Sequence, residues 1–165
     1  MSDVIPHVIF LPLSQGKYAQ VDSDCREEIW NSKWYCGAGG YVRRHAKNNS
    51  NASLAHCVLE LPTKGSSRNG TEIDHKNHDK LDNLRSNLRS CSTLQNRQSK
   101  RKTVRVCSST FKGVHRRPSG RWLARLRTQG EDYLLGTFEN EEDAARAYNE
   151  AAKKYFGEFE QLNQV

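Results

Sequence analysis

The sequence predicts an α+β chain built from two small modules, and three observations lead there. Short apolar runs separated by Gly-, Asn- and Asp-rich turns fill most of the 165 residues, whereas only one long stretch near the C-terminus has helical spacing. A segment from Arg97 to Ser109, rich in Lys, Arg and Ser and poor in apolar residues, reads as a helix end running into a linker. The length suits one ordinary domain or two small ones, and a hydrophobic content of 35% allows only modest cores. The expected division is residues 1–102, a basic linker at 103–108 and a second domain at 109–165. No deep enclosed cavity, and hence no small-molecule substrate, is expected.

Taken in order, Val8–Leu13, Tyr18–Val21, Lys33–Tyr35 and Tyr41–Arg44 read as short strands of a small β-rich layer. Asp24 to Asn31 reads as a short helix capped by Asp24, with Trp30 and Trp34 in the core. Lys47–Ser53 is a polar hairpin tip leading into the apolar run Leu54–Leu59. Thr71–Asp74 predicts a strand entering His75, residues 76–86 a loop dense in Asn and Asp, and Leu88–Cys91 a returning strand. Ser92 then caps a helix from Thr93 to about Lys100. In the last module, Thr110–His115, Arg121–Thr128 and Asp132–Phe138 predict three strands with turns at Pro118–Gly120 and Gln129–Gly130. Asn140 caps a helix whose Ala144, Tyr148, Ala151 and Tyr155 recur at helical spacing, and Gly157 stops it. The middle strand alternates: Trp122, Ala124 and Leu126 face one way, Arg121, Leu123, Arg125 and Arg127 the other.

Charge narrows the partner. The net charge is +7, and the whole excess lies in residues 76–106, since the segments on either side balance to zero. A polyanion is expected there, with double-stranded DNA ahead of an anionic membrane surface. The last module is neutral in sum but sorted: residues 111–127 hold six basic residues and no acid, so Lys112, Arg116, Arg117, Arg121, Arg125 and Arg127 form a basic sheet face. Around the first cluster, Arg85, Arg89, Arg97, Lys100 and Arg101 are the expected phosphate contacts. Five cysteines in an odd set with no C-x-x-C pair point to a reducing, cytoplasmic setting and away from zinc or a disulfide framework. No apolar stretch approaches the ~20 residues that span a bilayer.

In a hairpin of the predicted kind, His75 and Asn87 face each other across the ladder, and Asn96, one turn into the helix, projects back toward Asp74. Carboxylate and amide oxygens suit a hard divalent ion such as Mg²⁺, with Mn²⁺ an alternative, better than zinc. A histidine of near-neutral pKa beside it suits a general base. Asn83 reads as a plain loop residue and His78 as a solvated one.

The ordered set Asp74-His75, Asn87-Leu88-Arg89 and Gln95-Asn96 resembles the HNH nuclease motif in its Asn-terminated form, a ββα-metal core over about 71–100. Ile9-Phe10-Leu11-Pro12-Leu13-Ser14-Gln15-Gly16-Lys17, Trp34-Tyr35 and Leu54-Ala55-His56 resemble the N-terminal part of phage and bacterial homing-type HNH proteins. The resemblance implies His75 as general base, Asp74 and Asn96 as metal ligands, and Asn87 as the residue that holds the hairpin and orients His75. Ser109-Thr-Phe-Lys-Gly-Val-His115, Gly120-Arg-Trp-Leu-Ala124, Leu135-Gly-Thr-Phe138 and Glu142-Asp-Ala-Ala-Arg-Ala-Tyr148, ending at Leu162-Asn163, resemble an APETALA2-type DNA-binding domain. That family reads the major groove with its sheet, which implies DNA contacts from Lys112, His115, Arg117, Ser119, Arg125, Arg127 and Leu134. His115 and Lys112 stand where the plant pattern has arginines, Ser119 and Leu134 where it has tryptophans, and Arg125 where it has an acid, so the plant target sequence does not carry over. The expectation is a homing-type DNA endonuclease of a bacterial or phage-infected cell, acting as a monomer on DNA. A non-catalytic DNA-binding regulator is the alternative, and a zinc-stabilised adaptor a third.

Overall fold

The computed structural model describes residues 7–45, 51–61, 71–101 and 108–165, without the side chains of Asn51 and Thr71. The chain divides into two compact units, Met1–Thr93 and Leu94–Val165, each considered by itself below. It is mixed α and β throughout, with several small antiparallel sheets. The linker expected at 103–108 falls, apart from Ser108, outside the described residues, as does most of the polar tip at 47–53.

In the first unit, β1 (Val8–Pro12) pairs antiparallel with β2 (Tyr18–Asp22), and β3 (Tyr35–Cys36), β4 (Val42–His45) and β5 (Asn51–Ser53) form a second sheet. Between them stands α1 (Glu27–Trp30), shorter than expected and entered at Arg26 without a side-chain cap. Asp24 instead accepts a hydrogen bond from Arg85. Leu54–Val58, expected as an apolar continuation of the hairpin, is a helix, α2. Leu54, Ala55 and Val58 are its buried residues, a helical rather than an alternating spacing. Leu11, Ala19, Val21, Ile29, Trp34, Val42 and Leu88 make one core with them. Two strands complete the unit, β6 (Thr71–His75) and β7 (Leu88–Ser92), an antiparallel pair in register from Thr71 opposite Ser92 to His75 opposite Leu88.

The second unit begins with α3 (Thr93–Ser99), whose first residue marks the boundary. Its sheet has the order β10 (Glu131–Phe138), β9 (Trp122–Thr128), β8 (Val114–Arg116), covered by α4 (Glu141–Phe156). Ala124, Leu126 and Thr128 are buried while Arg125 and Arg127 are exposed, the alternation expected of a half-buried strand. Ala144, Ala145, Tyr148, Ala151, Ala152 and Phe156 form the buried stripe of α4, and its four alanines let the helix lie close on the sheet. Asn140 sits at the N-cap in extended conformation, but its amide donates to Asp143 instead of capping the helix.

β8 is shorter than the strand expected from Thr110. Gly113, at φ +74°, turns the chain directly beneath the Tyr148 ring, where a Cβ would lie 2.1 Å from that ring and 2.6 Å from the Arg125 carbonyl oxygen. Neither neighbour can retreat, because Tyr148 is in the core and the carbonyl is backbone. Gly113→Ala should therefore destabilise the second unit by about 3 kcal/mol, read as a lowered urea midpoint at unchanged slope.

Candidate active site

The site is organised by the loop between β6 and β7. Residues 76–86 contain few apolar side chains, so the loop has to satisfy its own backbone, and its Asn and Asp residues do this by folding back on nearby amides. The Asp79 amide donates to the Asn77 side chain (2.8 Å), Leu81 to the Asp79 carboxylate (2.9 Å), and Leu84 to the Asp82 carboxylate (3.2 Å). Asn87 spans the loop: its side-chain oxygen accepts from the Asn77 amide (3.0 Å) and its side-chain nitrogen donates to the Asp82 carbonyl (2.8 Å). The backbone of β2 props the far side, Gln20 donating to the Leu81 carbonyl (2.7 Å) and accepting from Asn83 (2.8 Å). Asn87 is thus one step past the ladder pair His75–Leu88, because its side chain is used to close the loop rather than to face His75.

Asn83 is the group that meets His75. Its side-chain oxygen lies 3.4 Å from His75 Nε2, while its amide nitrogen donates to the Lys80 carbonyl (3.2 Å). With its amide oriented by Lys80, Asn83 presents an acceptor to Nε2, an arrangement that suits the tautomer with its lone pair on Nδ1. Both side chains are buried, His75 to 5% exposure and Asn83 to 1%. Burial pushes the His75 pKa below its ordinary 6.5, against the opposing pull of the Asn83 hydrogen bond and of Asp74, Asp82 and Asp79. Tyr41 packs at a ring separation of 6.1 Å from His75, and the Lys80 ammonium lies 4.4 Å from the centre of the Tyr41 ring. Sequence reasoning passed over Asn83 and Tyr41. A lone Asn between Leu81 and Leu84 is the signal that would have found the first; nothing local marks the second.

Asp74 is opposite Arg89 in the ladder, and the guanidinium holds one carboxylate oxygen through Nε (3.0 Å) and Nη2 (2.7 Å). Both side chains are largely buried. Asn96 is half-buried on α3, in the second unit. Asp74 has a carboxylate to offer a cation within the first unit. Among the described residues no group of three or more His, Cys, Asp or Glu side chains forms an alternative metal cage. A carboxylate oriented by an Arg is the kind of hard oxygen donor that a hydrated divalent ion takes.

The expected DNA-facing residues divide into two groups. Arg85 is engaged by Asp24 and lies 3.8 Å from Asp22, and Arg89 by Asp74. Arg121 pairs with Glu139 (2.9 Å), Arg116 stands 5.8 Å over Trp122, and the Lys112 ammonium donates to the carbonyls of Gln98 and Lys100. Burial lowers the Lys112 pKa to about 8. Arg97, Lys100, Arg101, His115, Arg117, Arg125 and Arg127 are exposed. Among the described residues Arg117, Arg125 and Arg127 have no carboxylate partner. Leu134, beside Arg125 on β10, is 72% exposed.

Residues 53–98 match the model of the HNH endonuclease family. Over those residues the chain is similar to the HNH endonucleases. An uncharacterised HNH endonuclease of Acanthamoeba polyphaga mimivirus is 29% identical over 99% of the chain and 83% of its own length. The C-terminal region is similar to AP2/ERF proteins. An ethylene-responsive transcription factor of Medicago truncatula is 55% identical over 27% of this chain, and an AP2/ERF and B3 domain-containing protein of Oryza sativa subsp. japonica 50% identical over 30% of it. The chain spans only 18% and 14% of the length of those two. Among the described residues no helix is long and apolar enough to cross a membrane.

The Asp74–Arg89 pair yields a stability prediction. Removing a buried partner strands a charge without water, so Arg89→Leu should cost about 3–5 kcal/mol, measured by urea denaturation of the full chain.

Proposed function

We propose that this protein is a DNA endonuclease of the homing type, whose HNH segment hydrolyses a phosphodiester and whose C-terminal sheet grips the duplex. The observation that carries the reading is a buried His75 held against Asn83, its pKa lowered by burial, next to Asp74 in the segment that matches the HNH family. Water is a poor nucleophile until it loses a proton, and a positioned histidine near its pKa accelerates such a step about 10²- to 10⁴-fold. His75 Nδ1 takes the proton as the water oxygen attacks phosphorus and the sugar oxygen departs. Asp74 and Asn96 would hold the divalent ion, Mg²⁺ or Mn²⁺, which when bound stabilises the charge on the phosphate and the leaving oxygen. Asn87 keeps the loop closed and thereby keeps Asn83 against His75. In the second unit, His115, Arg117, Arg125 and Arg127 face the duplex, with Lys112, Arg116 and Arg121 at the edges of that face and Ser119 at its turn. Arg97, Lys100 and Arg101 follow the backbone. One such site per chain implies a nick by a monomer.

The similarity of the C-terminal region to transcription factors favours one rival, a regulator that binds DNA without cutting it. Incubating the full chain with mixed genomic DNA and Mg²⁺ and mapping new ends separates the two. Cutting that survives His75→Ala would overturn the mechanism. We expect that variant to lose at least about 10²-fold in cleavage with DNA affinity retained.

The pH dependence has a definite sign. Protonated His75 cannot accept a proton, so cleavage should fall about tenfold per pH unit on the acid side. Because burial holds the imidazole pKa down, that limb should lie below pH 6.5. Asn83→Asp places a carboxylate against the ring and favours imidazolium, so the limb should move to higher pH in a kcat/KM profile.

A further inference from the structure

The second unit carries one element beyond its three-stranded sheet and covering helix. β8 pairs with β9 only from Val114 opposite Ala124 to Arg116 opposite Trp122, which leaves the Leu126–Thr128 end of β9 without a strand on that side. α3 reaches this end of the strand. Thr128 continues the inward column of Ala124 and Leu126, so its hydroxyl is a polar group in an apolar row and needs a partner. Gln98 Nε2 donates to it at 3.0 Å, and both side chains are buried. Lys112 closes the helix end, its ammonium donating to the carbonyls of Gln98 and Lys100. A seven-residue helix is too short to hold its own shape, since isolated helices below ~12–15 residues are marginal in water. Its order rests on these side-chain bonds and on the burial of Gln98 and Ser99.

What the docked helix presents is positive charge. Leu94, Arg97 and Gln98, three and four positions apart, share one face of α3, and all three line a cleft of about 490 Å³. Arg125 and Arg127 line it from the sheet, and Asp132 is the only acid along it. Arg97, Lys100 and Arg101 are exposed at the helix end. Lys112 stands where the APETALA2-type resemblance implies a DNA contact, yet its ammonium is turned onto backbone carbonyls. We infer that α3 is part of the second unit's DNA grip, with Lys112 and Thr128 as positioning residues that hold Arg97, Lys100 and Arg101 alongside Arg125 and Arg127 against the phosphate backbone. Cations already fixed in place bind with less loss of chain and side-chain freedom. Lys112 thus acts on DNA through the helix. This rests on the DNA-binding part of the reading above and holds whether or not the chain cuts.

The test uses the full chain and a labelled random-sequence duplex without metal, with affinity read by fluorescence anisotropy from about 50 to about 200 mM KCl. Each phosphate contact contributes about 0.9 to the slope of log affinity against log salt, so the slope counts contacts. Arg97→Ala, Lys100→Ala and Arg101→Ala combined should flatten it by about 2–3. Thr128→Val alters no charge, yet it should flatten the slope by at least about one and weaken binding about 2- to 10-fold. Thr128→Ser, which keeps the hydroxyl, should restore both. In the triple-alanine background neither Thr128→Val nor Lys112→Met should flatten the slope further. Lys112→Met in the wild-type background supplies the reading if Thr128→Val does not fold. An unchanged slope in Thr128→Val and Lys112→Met overturns the inference. So does further flattening by either one in the triple-alanine background, which would place Lys112 on the phosphates itself or trace the loss to the sheet. A wild-type chain that does not bind duplex, or binds it without salt dependence, instead overturns the DNA-binding reading itself.

Discussion

The Asn87 side chain is the constraint on which the first unit's candidate site depends. Ordering eleven loop residues costs about 1–2 kcal/mol each in backbone entropy, and the loop has almost no apolar surface to offset it. Its order comes from amide and carboxylate side chains that return to nearby backbone, and Asn87 ties the two ends of that ladder by bonding to Asn77 and Asp82 at once. The β2 backbone completes the frame through Gln20. Only inside such a frame can Asn83 be 1% exposed and aimed at a histidine eight positions earlier.

That frame also decides a contest over the histidine's charge. Asp74, Asp79 and Asp82 all favour imidazolium, and in open solvent their sum would raise the pKa. Burial is the larger effect and holds the pKa below its ordinary 6.5. Arg89 contributes by holding the Asp74 carboxylate, which otherwise would be an uncompensated charge one residue from the ring. A base and an adjacent carboxylate can therefore coexist without the base being permanently protonated.

Much of this was legible in the sequence where the signal is local. The strand, loop, strand and helix around Asp74 and His75, the alternation from Trp122 to Thr128, and the Ala-rich helix over it all follow from short-range periodicity and turn chemistry. What was not legible depends on pairs distant in sequence. Leu54–Val58 forms a helix because its apolar residues meet a core assembled from other strands. Gly113 shortens β8 because Tyr148 lies over it. Asn83 reads as a loop residue until Gln20 and Lys80 fix it, and Tyr41 has no local mark at all. The partners of Arg85 and Arg89 are likewise tertiary: no pattern within residues 76–106 says that Asp24 and Asp74 will take them up.

Those ion pairs change where positive charge is available. Counted along the chain, the +7 excess sits at 76–106 and the tail is neutral. In space, Arg85 and Arg89 are balanced by acids of their own unit, Lys76 donates to the Ser86 carbonyl, and Lys80 to the Gly39 carbonyl while lying over Tyr41. Among the described residues, Arg97, Lys100 and Arg101 at the end of α3 and Arg117, Arg125 and Arg127 on the sheet are exposed and have no carboxylate partner. All six belong to the second unit. The acids that neutralise the tail on paper include Glu141, Glu142 and Asp143 in the first turn of α4, where they complement the helix dipole, on an element packed against the other face of the sheet. A polyanion approaching the Arg125 face therefore meets positive charge that a linear count cancels, and the helix bearing Asn96 lies at the edge of that same field.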